Sequence, residues 1–282
     1  MKFLLHLKQL NDTFLNKFIK IVTSILLLML SSNLKAQSEK SHEIGIIAGS
    51  ASFTTDYGAR NNFKANVGGN VGMGIGVVYY LNFTDYRYRW NLRTSYFAEH
   101  FRIRAEASYM SAKLEHFGKY AETPGEWGDR LRAHTGKTYL LNLGAQMEFH
   151  WVDIVDFGSR RIPDLHWSPY ISAGAFVDFY NPSITSTYEP GKTWEDAGVL
   201  FPKWDNNLYP GASRDTASIT MSATLGVGTR YKLGEYSDLL IESRWQYFFS
   251  NYVDGLHAKA DPANKYNDWL LWVHVGYVYY LN

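Results

Sequence analysis

The sequence predicts an all-β chain, an eight-stranded antiparallel transmembrane β-barrel of the outer-membrane type, and three observations predict it. Runs of roughly ten residues that alternate apolar and polar side chains recur along the chain after an N-terminal leader. Beyond that leader, no stretch is apolar for the roughly 20 residues that a spanning helix needs. The runs are about 10 to 14 residues long, against a usual 5 or 6 in soluble sheets, and their apolar faces end in Tyr, Trp and Phe, as interfacial girdles do.

The leader carries Lys2, Lys8, Lys17 and Lys20, then the apolar run Ile21 to Leu30, then small and polar residues to Ala36 and Gln37. An apolar run of about 10 residues behind a basic segment reads as a secretory signal peptide over residues 1–36, with cleavage near Ala36/Gln37 and a barrel over 37–282. The chain has no cysteine, which excludes a lipid anchor, disulfides and thiolate metal sites. Its formal net charge is +1, and nothing in the composition points to nucleic acid.

The first run is His42 to Ser52. In the second, Val71, Met73, Ile75, Val77, Tyr79, Leu81 and Phe83 oppose Gly72, Gly74, Gly76, Val78, Tyr80 and Asn82, one greasy face against one mostly small. The third sets Phe101, Ile103, Ala105, Ala107 and Tyr109 against Arg102, Arg104, Glu106, Ser108 and Met110. A fourth run, Thr138 to Trp151, has its apolar face from Tyr139 to Trp151, and the fifth alternates between Tyr170 and Tyr180. The sixth spans Ala217 to Lys232 and the seventh Leu239 to Phe249. The eighth, Asp268 to Leu281, ends in aromatic residues, as a strand does that closes a barrel on its first strand. An even number of strands puts both ends of the barrel chain on one side.

Alternation alone does not tell a membrane barrel from a soluble one. The polar faces help, because they mix Gly, Ser and Thr with isolated charges of both signs. Shifting the third run by one residue would turn Arg102 and Arg104 toward lipid, at roughly 2 to 4 kcal/mol each near the midplane. That register places Arg102, Arg104, Glu106, Glu148, Asp178, Arg230, Lys232, Glu242 and Arg244 in the lumen. Charges in such an interior need partners, so a cross-strand ladder that plugs the barrel is expected.

The loops after runs one, three, five and seven, about 53–70, 112–137, 181–215 and 251–266, are expected to face outward. Asn181-Pro182, Glu189-Pro190-Gly191 and Tyr209-Pro210-Gly211 mark the longest as turn-rich. Two periplasmic links, about 84–99 and 152–167, are longer than usual. They carry Arg87, Arg89, Trp90 and Arg93 in one and Arg160 and Arg161 in the other, residue types that anchor protein interfaces. These form a candidate docking surface for an envelope protein, besides the outer-membrane lipid itself.

Chemistry is faint. His100, His116, His134, His150 and His274 are candidate bases, yet no nucleophile signature gathers them. Asp254, Asp261, Asn264, Asn267 and Asp268 are oxygen donors without EF-hand spacing, and they are ordinary turn residues. No catalytic residue, cofactor or metal is assigned.

Several stretches resemble a flavobacterial family of small outer-membrane barrels: His42 to Ile46, Gly76 to Phe83, Ser168-Pro169-Tyr170-Ile171, Val227 to Tyr231 and Phe248 to Gly255. That family is similar to PorG, a barrel component of the type IX secretion system in Bacteroidota. The resemblance implies an outer-membrane location and an accessory role in an envelope or secretion assembly, and it brings no catalytic motif. The alternatives are a lipid-modifying barrel enzyme and a narrow pore.

Overall fold

The computed structural model describes residues 41–59, 62–83, 95–158, 165–259, 261 and 266–281. The leader, the cleavage point and the docking residues Arg87, Arg89, Trp90, Arg93, Arg160 and Arg161 lie outside the described residues. Eight antiparallel strands follow one another in chain order and close into a barrel. They are β1 (Ser41–Thr54), β2 (Val71–Asn82), β3 (Phe101–Glu115), β4 (His134–His150), β5 (Trp167–Ser186), β6 (Ser218–Lys232), β7 (Ser237–Phe248) and β8 (Trp269–Tyr280). Closure is made by β1 on β8, with Ile46 opposite Tyr277 and Ala48 opposite Val275. No strand edge is therefore left along the barrel wall.

The period of two in the sequence becomes the two faces of that wall. Along β3, Arg102, Arg104, Glu106, Ser108 and Met110 are buried, while Phe101, Ile103, Ala105, Ala107 and Tyr109 between them are partly exposed. Along β8, Leu270, Trp272, His274 and Val278 point in, and Val273, Val275, Tyr277 and Tyr279 stand 45 to 54% exposed. The outward residues of β2 and β6 are equally apolar, with Met73 at 76% and Leu225 at 58%.

Aromatic residues frame this apolar band at both ends. Tyr109 stacks with Tyr139, and Tyr247 meets Trp269, at the end that carries the long loops. Phe101 meets Phe149, and Trp167 meets Tyr231, at the other. Tyr139 and Phe149 lie on one face of β4, roughly 33 Å apart along the strand. A tilt of about 40° brings that to a height of about 25 Å, the thickness of an outer-membrane apolar band.

The strands run farther into the long-loop end than the alternating runs predict. β3 continues to Glu115 and β4 begins at His134, so Lys113 pairs with Lys137 and Glu115 with Thr135 inside what reads as loop 112–137. β5 continues through Asn181 and Pro182 to Ser186. Its pairing with β6 stops at Tyr180 opposite Ser218, whereas its pairing with β4 goes on, so Pro182 stands on a half-open edge where a missing N–H is tolerated. The turn signal at Asn181-Pro182 is therefore overridden by β4.

Short helices occupy parts of the links. α1 (Phe63–Gly69) lies in the first loop, and α3 (Lys119–Glu122) and α4 (Glu126–Ala133) lie in the second. At the opposite end are α2 (Tyr96–His100) and α5 (Ile154–Gly158). Ser95 starts α2 by accepting a hydrogen bond from the Ala98 N–H at 3.2 Å. None of these described helices is long and apolar enough to cross a membrane.

Candidate functional site: the braced lumen and the loop cap

The inward alternation of eight strands puts more charge into the lumen than it can hold unpaired, and the structure resolves this with a brace. β3 presents Arg104 and Glu106, and β7, on the opposite side of the barrel, presents Glu242 and Arg244. Arg104 donates to both Glu242 oxygens at 2.6 and 2.8 Å, and Arg244 donates to both Glu106 oxygens at 2.6 and 2.8 Å. Two forked, charge-assisted pairs thus run side by side across the barrel, in opposite senses.

Each carboxylate takes a further donor. Tyr170 donates to Glu242 at 2.6 Å, and Ser108 and Gln146 donate to Glu106 at 2.8 and 3.3 Å. Gly228 makes room for Tyr170, because a Cβ there would sit 2.5 Å from the Tyr170 hydroxyl. The Arg244 guanidinium also lies 4.6 Å from the Trp272 ring centroid and 5.1 Å from that of Phe176.

A second network fills the short-link end. Glu43 accepts from Arg102 at 3.2 Å, from Arg230 at 2.5 Å and from Asn82 at 2.7 Å. Asp238 accepts from Arg230 at 3.2 Å and from Tyr280 at 2.7 Å, and the Tyr80 ring lies 4.1 Å from the Arg230 guanidinium. Glu148 joins the two networks, 3.0 Å from Arg104 and 3.9 Å from Arg102. Nearer the loops, Gln246 donates to Asp178 at 3.0 Å and to Ser222 at 2.8 Å.

All of these charged residues except Lys232 are buried; Lys232, the last residue of β6, is half-buried at the barrel end. Glu43 and Asp238 complete the network without having been singled out in the sequence. Glu43 lies in a run whose faces were not separated, and Asp238 sits one residue before the seventh run. Both fall on the inward phase, so extending the alternation to them is the signal that finds them.

His150 stands between Ser168, 2.8 Å from Nδ1, and Glu148, 3.1 Å from Nε2. This is a serine, histidine and carboxylate in contact, which the sequence reading did not assemble. All three are 0% exposed. A hydrolytic site needs an accessible nucleophile beside oxyanion donors, and here the serine faces a filled lumen. His274 also points inward, against Trp272 at 4.3 Å, and His100 bonds the His150 carbonyl at 2.9 Å.

His116 and His134 belong to the long-loop end, where the loops fold into a cap. Tyr57 hydroxyl contacts His134 Nε2 at 3.0 Å, and His134 Nδ1 contacts His116 Nε2 at 3.2 Å. His116 is stacked between Tyr57 and Trp204, each ring centroid 4.7 Å away. Burial, then His134, then Lys203 hold His116 well below the usual histidine range, so it is neutral at pH 7.

Asp254 and Asp268, in the last loop, accept from backbone N–H groups of the first and last loops. Asp254 accepts from the N–H groups of Leu256 and Asp56 at 2.7 and 3.0 Å, and Asp268 accepts from that of Val253 at 2.9 Å. Burial raises both carboxyls, and neighbouring aspartates raise them further. Among the described residues no cluster of three acidic or histidine side chains has the geometry of a metal site.

Neither a protein-family model nor a curated protein matches the sequence. Solved structures of similar fold include a major outer membrane protein from Thermus thermophilus, 13% identical over 86% of this chain and 99% of that one, with a TM-score of 0.46. Neisserial surface protein A is 12% identical over 84% of this chain and 96% of that one, with a TM-score of 0.39. The outer membrane enzyme PagL is 10% identical over 84% and 98%, with a TM-score of 0.32. At these identities the likeness is one of fold.

Proposed function

We propose that the protein is an integral outer-membrane barrel with a side-chain-filled lumen, acting without catalysis as a structural or accessory component of an envelope assembly. The resemblance in sequence makes a type IX secretion-like machine the assembly of choice. One observation carries the membrane reading: a closed wall is apolar outside and ionic inside. A soluble barrel needs the reverse, because an apolar belt of this size in water is an aggregation surface.

The braced interior supports a non-conducting barrel, since eight strands leave a bore that side chains fill. The burial of Ser168, His150 and Glu148 supports a non-enzymatic one. The Arg and aromatic residues of the short-link end, Arg87 and Trp90 among them, are the proposed contact with an envelope partner.

The test is affinity purification of a tagged copy from gently solubilised outer membranes, with boiled and unboiled samples compared on a gel. A heat-dependent mobility shift together with a stoichiometric partner, lost in Arg87→Ala/Trp90→Ala, is the expected result. Recovery in the soluble fraction defeats the membrane reading. A shifted barrel recovered alone defeats the accessory role, and a Ser168→Ala-sensitive change in lipid profile replaces it with the enzyme.

A further inference from the structure

The cap encloses a cavity of about 540 Å³ on the long-loop end, walled by the first loop, by α3 and α4, and by the 3₁₀ turn at Pro202–Trp204. That volume is in the range of small-molecule sites. We propose that it is a binding site for a neutral saccharide.

Three properties of the lining point to that chemistry. The first is flat aromatic surface at the mouth. Tyr120 and Trp127 are 61 and 53% exposed on neighbouring short helices, with Trp127 set edge-on to Phe201 at 5.5 Å. Large rings held open to water over a concave site are typical anchors for a ligand face.

The second is the polar set beneath them. Asp56, Lys203 and Asp261 line the same cavity, with the Lys203 ammonium 3.8 Å from Asp261 and 4.1 Å from the Trp204 ring centroid. Carboxylates accept from hydroxyls and an ammonium donates to them. Because Lys203 and Asp261 are opposite in sign and close together, a ligand of one net charge gains nothing from that pair that it does not lose, and burial raises the Asp56 carboxyl, which weakens the remaining negative charge. A wholly apolar ligand would strip water from these charges without replacing it. A polyhydroxylated ring meets both requirements, with C–H faces for the aromatic rings and hydroxyls for the charged groups.

The third is preorganisation. Arg130 ties α4 to the Leu200 carbonyl at 3.3 Å, Arg132 bonds the Ala121 carbonyl of α3, and Asn66 holds the first loop by accepting from Ala59 N–H at 2.7 Å. Gly125 opens α4 at a φ of 120°, a conformation that other residues resist. The mouth therefore has little ordering left to do on binding.

The experiment uses the full-length protein, folded in detergent micelles and fluorescently labelled, on an array of neutral and anionic glycans. The strongest neutral glycan is then titrated by calorimetry against wild type, Trp127→Ala, Tyr120→Ala and Trp151→Ala, the last at the opposite end of the barrel. Saturable binding that weakens at least tenfold in Trp127→Ala and in Tyr120→Ala, but not in Trp151→Ala, is expected. All four proteins must keep the heat-dependent gel shift. Absence of saturable binding, binding of anionic glycans alone, or affinity unchanged by both cap substitutions overturns the proposal.

Discussion

Glu106→Ala is the sharpest probe of the lumen. It deletes two charge-assisted hydrogen bonds to Arg244, at 2.6 and 2.8 Å, each of a class that contributes about 1.5 to 3 kcal/mol. It leaves the guanidinium buried against Trp272 and Phe176, contacts that the wild type already makes and that therefore do not offset the loss. The net expectation is a destabilisation of roughly 3 to 5 kcal/mol, as for other broken buried pairs. With a urea slope of about 2 kcal/mol per molar, the unfolding midpoint falls by roughly 2 M. The assay is urea titration in detergent micelles, followed by tryptophan fluorescence and by mobility of unboiled samples. Removing both charges with Glu106→Met/Arg244→Met should recover at least half of that loss, because no ion is then left alone. A single variant within about 1 kcal/mol of wild type, or a double variant no better than the single, would refute the reasoning that the brace is dry.

Three further outcomes follow from the same geometry. Val275→Arg, at 54% exposure in the apolar band, should cost roughly 2 to 4 kcal/mol and reduce the heat-shifted band, whereas the same change on a water-facing wall would stay within about 0.5 kcal/mol. Gly228→Ala should cost about 1 to 3 kcal/mol in the urea assay, since the added Cβ meets the Tyr170 hydroxyl at 2.5 Å and the Ile241 carbonyl at 2.7 Å. Protonation of His116 should loosen the cap. Its folded pKa lies below the unfolded value of about 6.5, so the unfolded cap binds the extra proton and this contribution to stability falls as pH drops below about 6.5. The raised carboxyls of Asp254 and Asp268 act in the opposite sense, so the readout is a difference: in limited proteolysis the ratio of the loop-cleavage rate at about pH 4.5 to that at about pH 7 should be greater in wild type than in His116→Gln, and equal ratios would remove His116 from that role.

The wall was legible in the sequence because a period of two is a local property. Each run from His42 to Leu281 carries its own two faces, and the penalty for turning Arg102 and Arg104 outward sets the phase. The cap was not legible. It depends on residues far apart in the chain, such as Tyr57, His116, His134 and Trp204, whose approach no local pattern encodes. Proline also misled at Pro182, where pairing with β4 outlasts the local turn preference. The charges of the lumen were visible as inward positions, but their partners were not. Neighbouring strands alone suggest a ladder around the wall, whereas Arg104 and Arg244 reach across it.

That crossing has a consequence for assembly. Because β3 carries arginine then glutamate two residues later, and β7 carries glutamate then arginine, only one alignment satisfies both pairs. If either strand slid by two residues, Arg104 would come to face Arg244, or Glu106 to face Glu242. The apolar exterior would still look correct to lipid after such a slip, since every side chain would remain on its proper face. The interior alone would register the mistake. The brace thus works as a proofreading key: the barrel wall accepts many alignments, and the lock inside turns for one.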